Sequence, residues 1–321
     1  MTAAMPVPDI IMTNGIPMAV HQSGTGPAVV LLHGFPELAL SWRHQMSPLS
    51  QAGWRAIAPD QRGYGGTGCH GEVSDYRMVN LARDIVGLLD VLEIARAVVV
   101  GHDFGGMVAW TLARDHSDRV AGVISLNTPY TRQGDRDLLS LVREHRGSSN
   151  YMVCFQKPGD GEAALERDVE ATFTALFRRP ALTLQAFRRA ELRLRALPMS
   201  LFTGEPPLMG TPIMGPDEVA AYVEAFRRTG FTGALNWYRN MRRNWEDGIG
   251  RADRVDVPAL MVSAADDYFL PPDTTIGMEA VIPDLERALI ADCGHWTQHE
   301  QPNIVNRLLL GWLERRMRPL F

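Results

Sequence analysis

Residues 97–107 read AVVVGHDFGGM. The run 97–100 is apolar and rich in β-branched residues, which predicts a buried strand. It breaks into Gly101-His102-Asp103-Phe104-Gly105, and helix-favouring sequence follows at once. Strand, tight turn and helix in that order form a nucleophile elbow, which lifts one side chain above the end of a sheet. The glycines flank the strained turn and leave room for the helix to pass close to the strand. The lifted residue is Asp103, at a position where serine is the more usual occupant.

That substitution narrows the chemistry. Serine attacking an acyl carbon gives an ester that water can open, whereas serine attacking a saturated carbon would give an inert ether. A carboxylate attacking a saturated carbon gives an alkyl ester whose carbonyl remains open to water. Asp103 thus points to an sp3 electrophile such as an epoxide or an alkyl halide. The plainer alternative is that Asp103 only caps the helix that follows, as Asp commonly does.

Around the elbow the pattern alternates between strand and helix. Strands are predicted at 10–13 and 17–21 about the turn Asn14-Gly15, then at 28–32, 54–58, 97–100 and 120–126, with helices at 41–52, 76–92 and 106–115. Such alternation implies a mostly parallel sheet covered on both faces. Between 131 and 254 strand signal fades and the text is helical and Arg-rich. Strand pattern returns at 259–262 and 287–290, and a last helix is predicted at 303–315. The reading is an α/β core from 1–130 and 255–321, with a helical cap from 131–254 inserted over the strand ends. Runs such as Arg178-Arg179, Arg188-Arg189 and Arg239 to Arg243 read as solvated helix faces.

The 321 residues are 45% hydrophobic and 21% charged, enough for a large core and unlike a disordered chain. The net charge of −5 gives no footprint for nucleic acid or a membrane surface. Three scattered cysteines, Cys69, Cys154 and Cys293, fit a reducing compartment and no metal-ligand spacing. The N-terminal stretch lacks a basic-then-apolar leader pattern and no segment reaches spanning length, so a cytoplasmic protein is expected. No cofactor is implied.

An ester on Asp103 needs a base to direct water at it, and the base needs an orienting acid. The strand at 259–262 runs into Asp266-Asp267, and Asp292-Cys293-Gly294-His295-Trp296 follows the next strand. Acids at strand ends lie where ligands bind in open α/β sheets. The chain order nucleophile, acid, histidine selects His295 among nine histidines. Alternation alone leaves Asp266 and Asp267 both open as the acid.

Taken together, His33-Gly34-Phe35-Pro36, Asp60-Gln61-Arg62-Gly63-Tyr64-Gly65, Gly101-His102-Asp103-Phe104-Gly105-Gly106, Tyr151-Met152-Val153-Cys154-Phe155-Gln156, Asn236-Trp237-Tyr238-Arg239-Asn240 and the segment around His295 make a specific set. Over nearly its whole length the chain resembles the epoxide hydrolases of the α/β-hydrolase fold, of the soluble, mammalian-like type. The resemblance implies Asp267 as the acid and Tyr151 and Tyr238 as donors to the epoxide oxygen. It also implies a cis Phe35-Pro36 peptide and backbone N–H groups of Phe35 and Phe104 as the oxyanion hole. Trp42, Met107, Phe155 and Trp296 are candidate pocket residues, and His33 and His102 are read as structural. The implied partner is a small lipophilic epoxide, with room for a homodimer. Phe104 departs from the tryptophan that many members carry there. A haloalkane or haloacid dehalogenase shares the nucleophile and base, but it needs N–H donors for its halide, and Phe104 supplies no indole. A non-catalytic receptor on the same fold would usually lack a triad member, and here none is missing.

Overall fold

A computed structural model describes residues 5–68, 71–203 and 209–320. Eight strands form one sheet in the order β1-β2-β4-β3-β5-β6-β9-β10. They are β1 (Asp9–Thr13), β2 (Ile16–Ser23), β3 (Ala28–Leu32), β4 (Arg55–Pro59), β5 (Ala97–His102), β6 (Val120–Leu126), β9 (Ala259–Ala264) and β10 (Leu285–Ile290). β1 and β2 form an antiparallel hairpin, β2 runs antiparallel to β4, and the remaining pairs are parallel. The hairpin turns on Asn14 and Gly15, both at positive φ (44° and 80°), the backbone that a two-residue turn of this hand requires.

The parallel strands read as unbroken apolar runs because both of their faces are covered. Val30, Leu32 and Val99 pack on one face, beneath Leu81 and Ile85 of α2 (Met78–Val91) and Val108 and Leu112 of α3 (Phe104–Asp115). Val29, Leu31, Val98 and Val100 pack on the other, against Met46 and Leu49 of α1 (Arg43–Gln51) and Val305 and Leu309 of α14 (Pro302–Trp312). Trp42 belongs to this second core and is fully buried there, so it does not line a substrate pocket. Its spacing of four from Met46 marks the stripe that α1 and the turn before it press onto the sheet.

From β6 to β9 the chain leaves the sheet. It forms α4 (Leu138–Arg146), α5 (Tyr151–Cys154), α6 (Asp160–Glu166), α7 (Val169–Leu176), α8 (Leu184–Arg189), α9 (Leu192–Arg195), α10 (Pro216–Thr229), α11 (Thr232–Arg239) and α12 (Met241–Gly248). It also contains a two-stranded antiparallel ribbon, β7 (Arg178–Pro180) with β8 (Met209–Pro212), which the sequence pattern did not predict. These strands of three and four residues, rich in Arg, Pro and Gly, carry no alternation to read. The Arg-rich runs are not all solvated faces. Arg239 is buried, donating to Glu162 at 2.8 Å and to the Phe155 carbonyl at 3.2 Å, and Arg178 donates to the Gly210 carbonyl across the ribbon.

Hydrogen bonds join this segment to the strand ends. Trp237 Nε1 donates to the Arg62 carbonyl at 2.9 Å, and the Leu184 amide donates to Asp266 Oδ1 at 2.7 Å. α13 (Thr297–Glu300) precedes α14, and the helix predicted to reach 315 ends at Trp312, where a wider π-helical turn, Leu313–Met317, takes over. Cys154 and Cys293 are free thiols, and Cys69 lies outside the described residues. Among the described residues no helix is long and apolar enough to cross a membrane.

A Cβ on Gly105 would fall 2.0 Å from the Leu32 carbonyl oxygen, backbone against backbone. Gly105→Ala is therefore expected to lower stability by about 1–3 kcal/mol or more. Gly134→Ala, whose Cβ meets nothing nearer than 3.8 Å, is expected to leave it unchanged. Urea midpoints check both, and equal midpoints for the two variants would contradict the close packing at the elbow.

Candidate active site

β3 is hydrogen-bonded to β4 on one side and β5 on the other, so the chain reverses its direction of travel across the sheet there. Crevices at the carboxyl ends of strands open at such reversals. Asp103 follows β5 at this point with φ 50° and ψ −123°, a backbone that costs a non-glycine residue on the order of 1–3 kcal/mol. Its side chain makes no capping bond to α3, which removes the plainer reading of this aspartate. The elbow is held from outside. Thr128 Oγ1 and the Gly106 amide donate to the Asp103 carbonyl at 2.7 and 2.9 Å, and a Cβ on Gly34 would lie 2.4 Å from that of Asp103.

The Phe35 amide, in the loop after β3, donates to Asp103 Oδ1 at 2.8 Å, and the Phe35-Pro36 peptide is cis. His295, in the loop after β10, turns Nε2 toward Asp103 Oδ2 at 3.8 Å and Nδ1 toward Asp267 Oδ2 at 2.9 Å. Asp267 follows β9 and is fully buried. Its Oδ1 accepts from the Phe269 and Leu270 amides at 2.8 and 3.0 Å, and its Oδ2 accepts also from Asn127 Nδ2 at 2.8 Å. Asp266 instead holds the Leu184 amide, so geometry separates the two acids that spacing left open.

Burial opposes the charge on Asp267, but the His295 ring and the donors around it prevail and hold its carboxyl below the ordinary value. Burial likewise opposes a charged His295. The Asp267 carboxylate, then that of Asp103, outweighs it and raises the imidazole to about 9. Tyr151 opens α5 and Tyr238 lies in the last turn of α11. Burial, and then neighbouring groups that include the Asp103 charge, push both phenols above their ordinary value, so both are O–H donors. Their rings meet edge to face at 5.8 Å.

Phe35, Asp103, Tyr151, Tyr238, His295 and Trp296 line one cavity of about 20 Å³, with Phe202 and Phe269 also in its wall. That is room for about one water molecule. Phe104 packs edge to face on Tyr238 at 4.7 Å. Phe155 stands behind the wall, touching the rings of Phe35, Tyr151 and Tyr238. Met107 is half-buried and lines larger cavities beside the site. Among the described residues no cluster of His, Cys, Asp and Glu could hold a metal ion.

Sequence reasoning missed Asn127, which donates to both Asp267 and the His295 carbonyl and accepts from Thr297 Oγ1 at 2.8 Å. Its place at the end of β6 was the available signal. It also gave no role to Glu37, fully buried and accepting from His102 at 2.7 Å and Gln298 at 2.7 Å. Burial raises the pKa of Glu37, but His102 and then His299 bring it well below the ordinary value. His102 in turn bonds the His295 carbonyl at 2.7 Å, tying the strand before the elbow to the histidine loop.

A sequence description of the alpha/beta hydrolase fold matches residues 27–302, the class that the sheet order and the elbow define. Epoxide hydrolase A of Mycobacterium tuberculosis is 38% identical over 96% of this chain and 97% of its own. Bifunctional epoxide hydrolase 2 of Sus scrofa is 39% identical over 95% of this chain, which spans only 54% of that protein's length. The crystal structure of epoxide hydrolase A from Mycobacterium thermoresistibile superposes with a TM-score of 0.85 at 35% identity, covering 97% of this chain and 98% of that one. The chain belongs to the α/β-hydrolase fold family and, within it, to the epoxide hydrolases.

The raised imidazole makes a pH prediction. Because the folded value of about 9 lies above the ordinary 6.5, the stabilisation that His295 supplies is full below pH 6.5 and is lost as pH rises through 9. NMR titration of the ring should find its midpoint near 9 in the native protein and markedly lower in Asp267→Asn. An unchanged midpoint in that variant would mean that Asp267 is not the charge that holds the proton.

Proposed function

We propose that the protein converts an epoxide and water to a vicinal diol through an ester on Asp103. The observation that carries the reading is the convergence of the Asp103 carboxylate, the His295–Asp267 pair and two buried phenols on one cavity. Oδ1 is already engaged by the Phe35 amide, which leaves Oδ2 as the attacking atom. Oδ2 bonds to an oxirane carbon, the carbon–oxygen bond of the ring breaks, and the developing alkoxide takes a proton from Tyr151 or Tyr238. The His295 imidazolium returns its Nε2 proton to the phenolate left by that step, and the neutral ring then takes a proton from the water that attacks the carboxyl carbon. Oδ1 becomes the oxyanion, received by the amides of Phe35 and Phe104. The acyl–oxygen bond breaks, the departing alkoxide recovers the proton from His295 to complete the diol, and the acid left on Asp103 gives its proton to His295, which restores the starting state.

Charge favours this order of events. Asp267 chiefly, and Asp103 after it, keep the ring protonated before reaction. Esterification neutralises Asp103, so the proton affinity of His295 falls and the ring can give its proton to the phenolate, which leaves it neutral when a base is needed. The tyrosine pair favours an epoxide over an alkyl halide, because a departing halide needs no proton. The apolar rings around the cavity favour a lipophilic substrate, and we include a homodimer among the assemblies open to the chain.

Asp103→Ala should abolish turnover, and a single turnover in water enriched in 18O should label the Asp103 carboxyl of the unsubstituted enzyme. His295→Gln should accumulate a protein adduct heavier by one epoxide, read by intact mass. Label in the diol alone, or no adduct after long exposure, would overturn the covalent route or the base assignment respectively. Asp267→Asn should resemble the histidine variant, while Asp266→Asn should be milder.

Tyr151→Phe and Tyr238→Phe should each slow ester formation without accumulating adduct, and the double variant should nearly abolish it. Loss of one such donor typically costs about 10²–10³ in rate, less where a second donor serves the same oxygen. Stopped-flow tryptophan fluorescence reads this step, and unaltered rates in all three variants would remove the tyrosines from the chemistry.

A further inference from the structure

A second, larger cavity of about 850 Å³ lies beside the catalytic one, and Phe269 lines both. Its walls are largely apolar, with Met107, Leu141, Met152, Leu184 and Phe187 among them. Its size is that of a small-molecule site rather than of a packing defect. Its charged lining is one-sided. Arg146, Arg188 and Arg195 face a single acid, Asp273, and Asp273 is taken by Arg188 at 2.7 Å. Arg195 is exposed and donates to the Ala190 carbonyl at 3.0 Å.

Arg146 is different. It ends α4, is half-buried, and among the described residues no carboxylate or other hydrogen-bond acceptor meets its guanidinium. Burial lowers its pKa, while Tyr151 and Asp267, near enough to act on it, work in the opposite direction. A cation drawn partly out of water with no partner is costly unless something pairs with it. A planar fork of N–H donors in an apolar wall suits a carboxylate, which it can grip through two parallel bonds.

We propose that Arg146 is a specificity-determining residue that receives the carboxylate of an amphiphilic substrate, whose apolar chain fills the large cavity and whose oxirane reaches Asp103 past Phe269. The proposal rests on the epoxide chemistry above for the reacting end and on the unpartnered guanidinium for the other. Anchoring the far end fixes which oxirane carbon faces Asp103, so Arg146 governs regiochemistry as well as affinity.

The test compares an epoxyalkanoic acid with its methyl ester, beside styrene oxide, on the native enzyme, Arg146→Gln and Arg146→Lys. Binding of dodecanoate is measured in parallel by calorimetry, which needs no turnover. The native enzyme should prefer the acid, and Arg146→Gln should lower its kcat/KM on the order of 10- to 100-fold, the scale of a hydrogen bond to a charged group. Turnover of the ester and of styrene oxide should be retained, and dodecanoate affinity should fall in step with the loss on the acid. Arg146→Lys should recover part of both, since it restores the charge without the fork. Equal kcat/KM for the acid in native and Arg146→Gln enzymes, with unchanged dodecanoate affinity, overturns the proposal and leaves the epoxide reading intact. Arg146-dependent dodecanoate binding by a protein that hydrolyses none of the epoxides would overturn the epoxide reading and keep the carboxylate site.

Discussion

The structure turns on the backbone of one residue. Asp103 holds a positive φ between β5 and α3, and the neighbouring chain is fitted around that conformation. Gly101 and Gly105 are needed because a Cβ on either would strike backbone, at 2.2 and 2.0 Å. Gly34 is needed because the loop after β3 crosses directly over the aspartate. The strain is sustained by bonds made to the elbow from β6 through Thr128, and by the sheet beneath. In return, a carboxylate stands above the strand ends with one oxygen bonded to Phe35 and the other facing His295.

The rest of the site is an exercise in compensating burial. Asp267, His295, Glu37 and His102 are all removed from water, and each is matched by donors or acceptors from different strand ends. The bonds run from one loop to the next, with Asn127 joining Asp267 to the His295 carbonyl and His102 joining Glu37 to the same carbonyl. Such a network is rigid when every member is satisfied. The segment between β6 and β9 contributes the two phenols from elements far apart in sequence, α5 and α11, brought together by ring packing over Phe35 and Phe104.

Much of this was legible in the sequence where local pattern carries it. The apolar runs at β3 and β6 gave their bounds directly, and the glycines around Asp103 declared the elbow. The choice of Asp267 over Asp266 was legible only by family likeness, because adjacent acids differ in direction, which a one-letter pattern does not encode. Trp42 was misread since an aromatic at helical spacing looks alike whether it faces a core or a cavity; the sheet face it met decided the matter. Asn127 and the ribbon of β7 and β8 escaped for a related reason. Their significance lies in partners 140 residues away in one case and in strands too short for periodicity in the other.

Phe269 carries two duties on separate atoms. Its amide holds Asp267, while its ring packs on His295 and its side chain borders both the small cavity and the large one. Main-chain hydrogen bonding is indifferent to what the side chain is, so the border of the two cavities can be reshaped by substitution at this position with the acid still gripped in place. A lineage, or a designer, can thereby retune the reach of the site for bulkier molecules in a single step, with the bond to Asp267 kept and the packing of the ring on His295, 4.8 Å between centroids, remade.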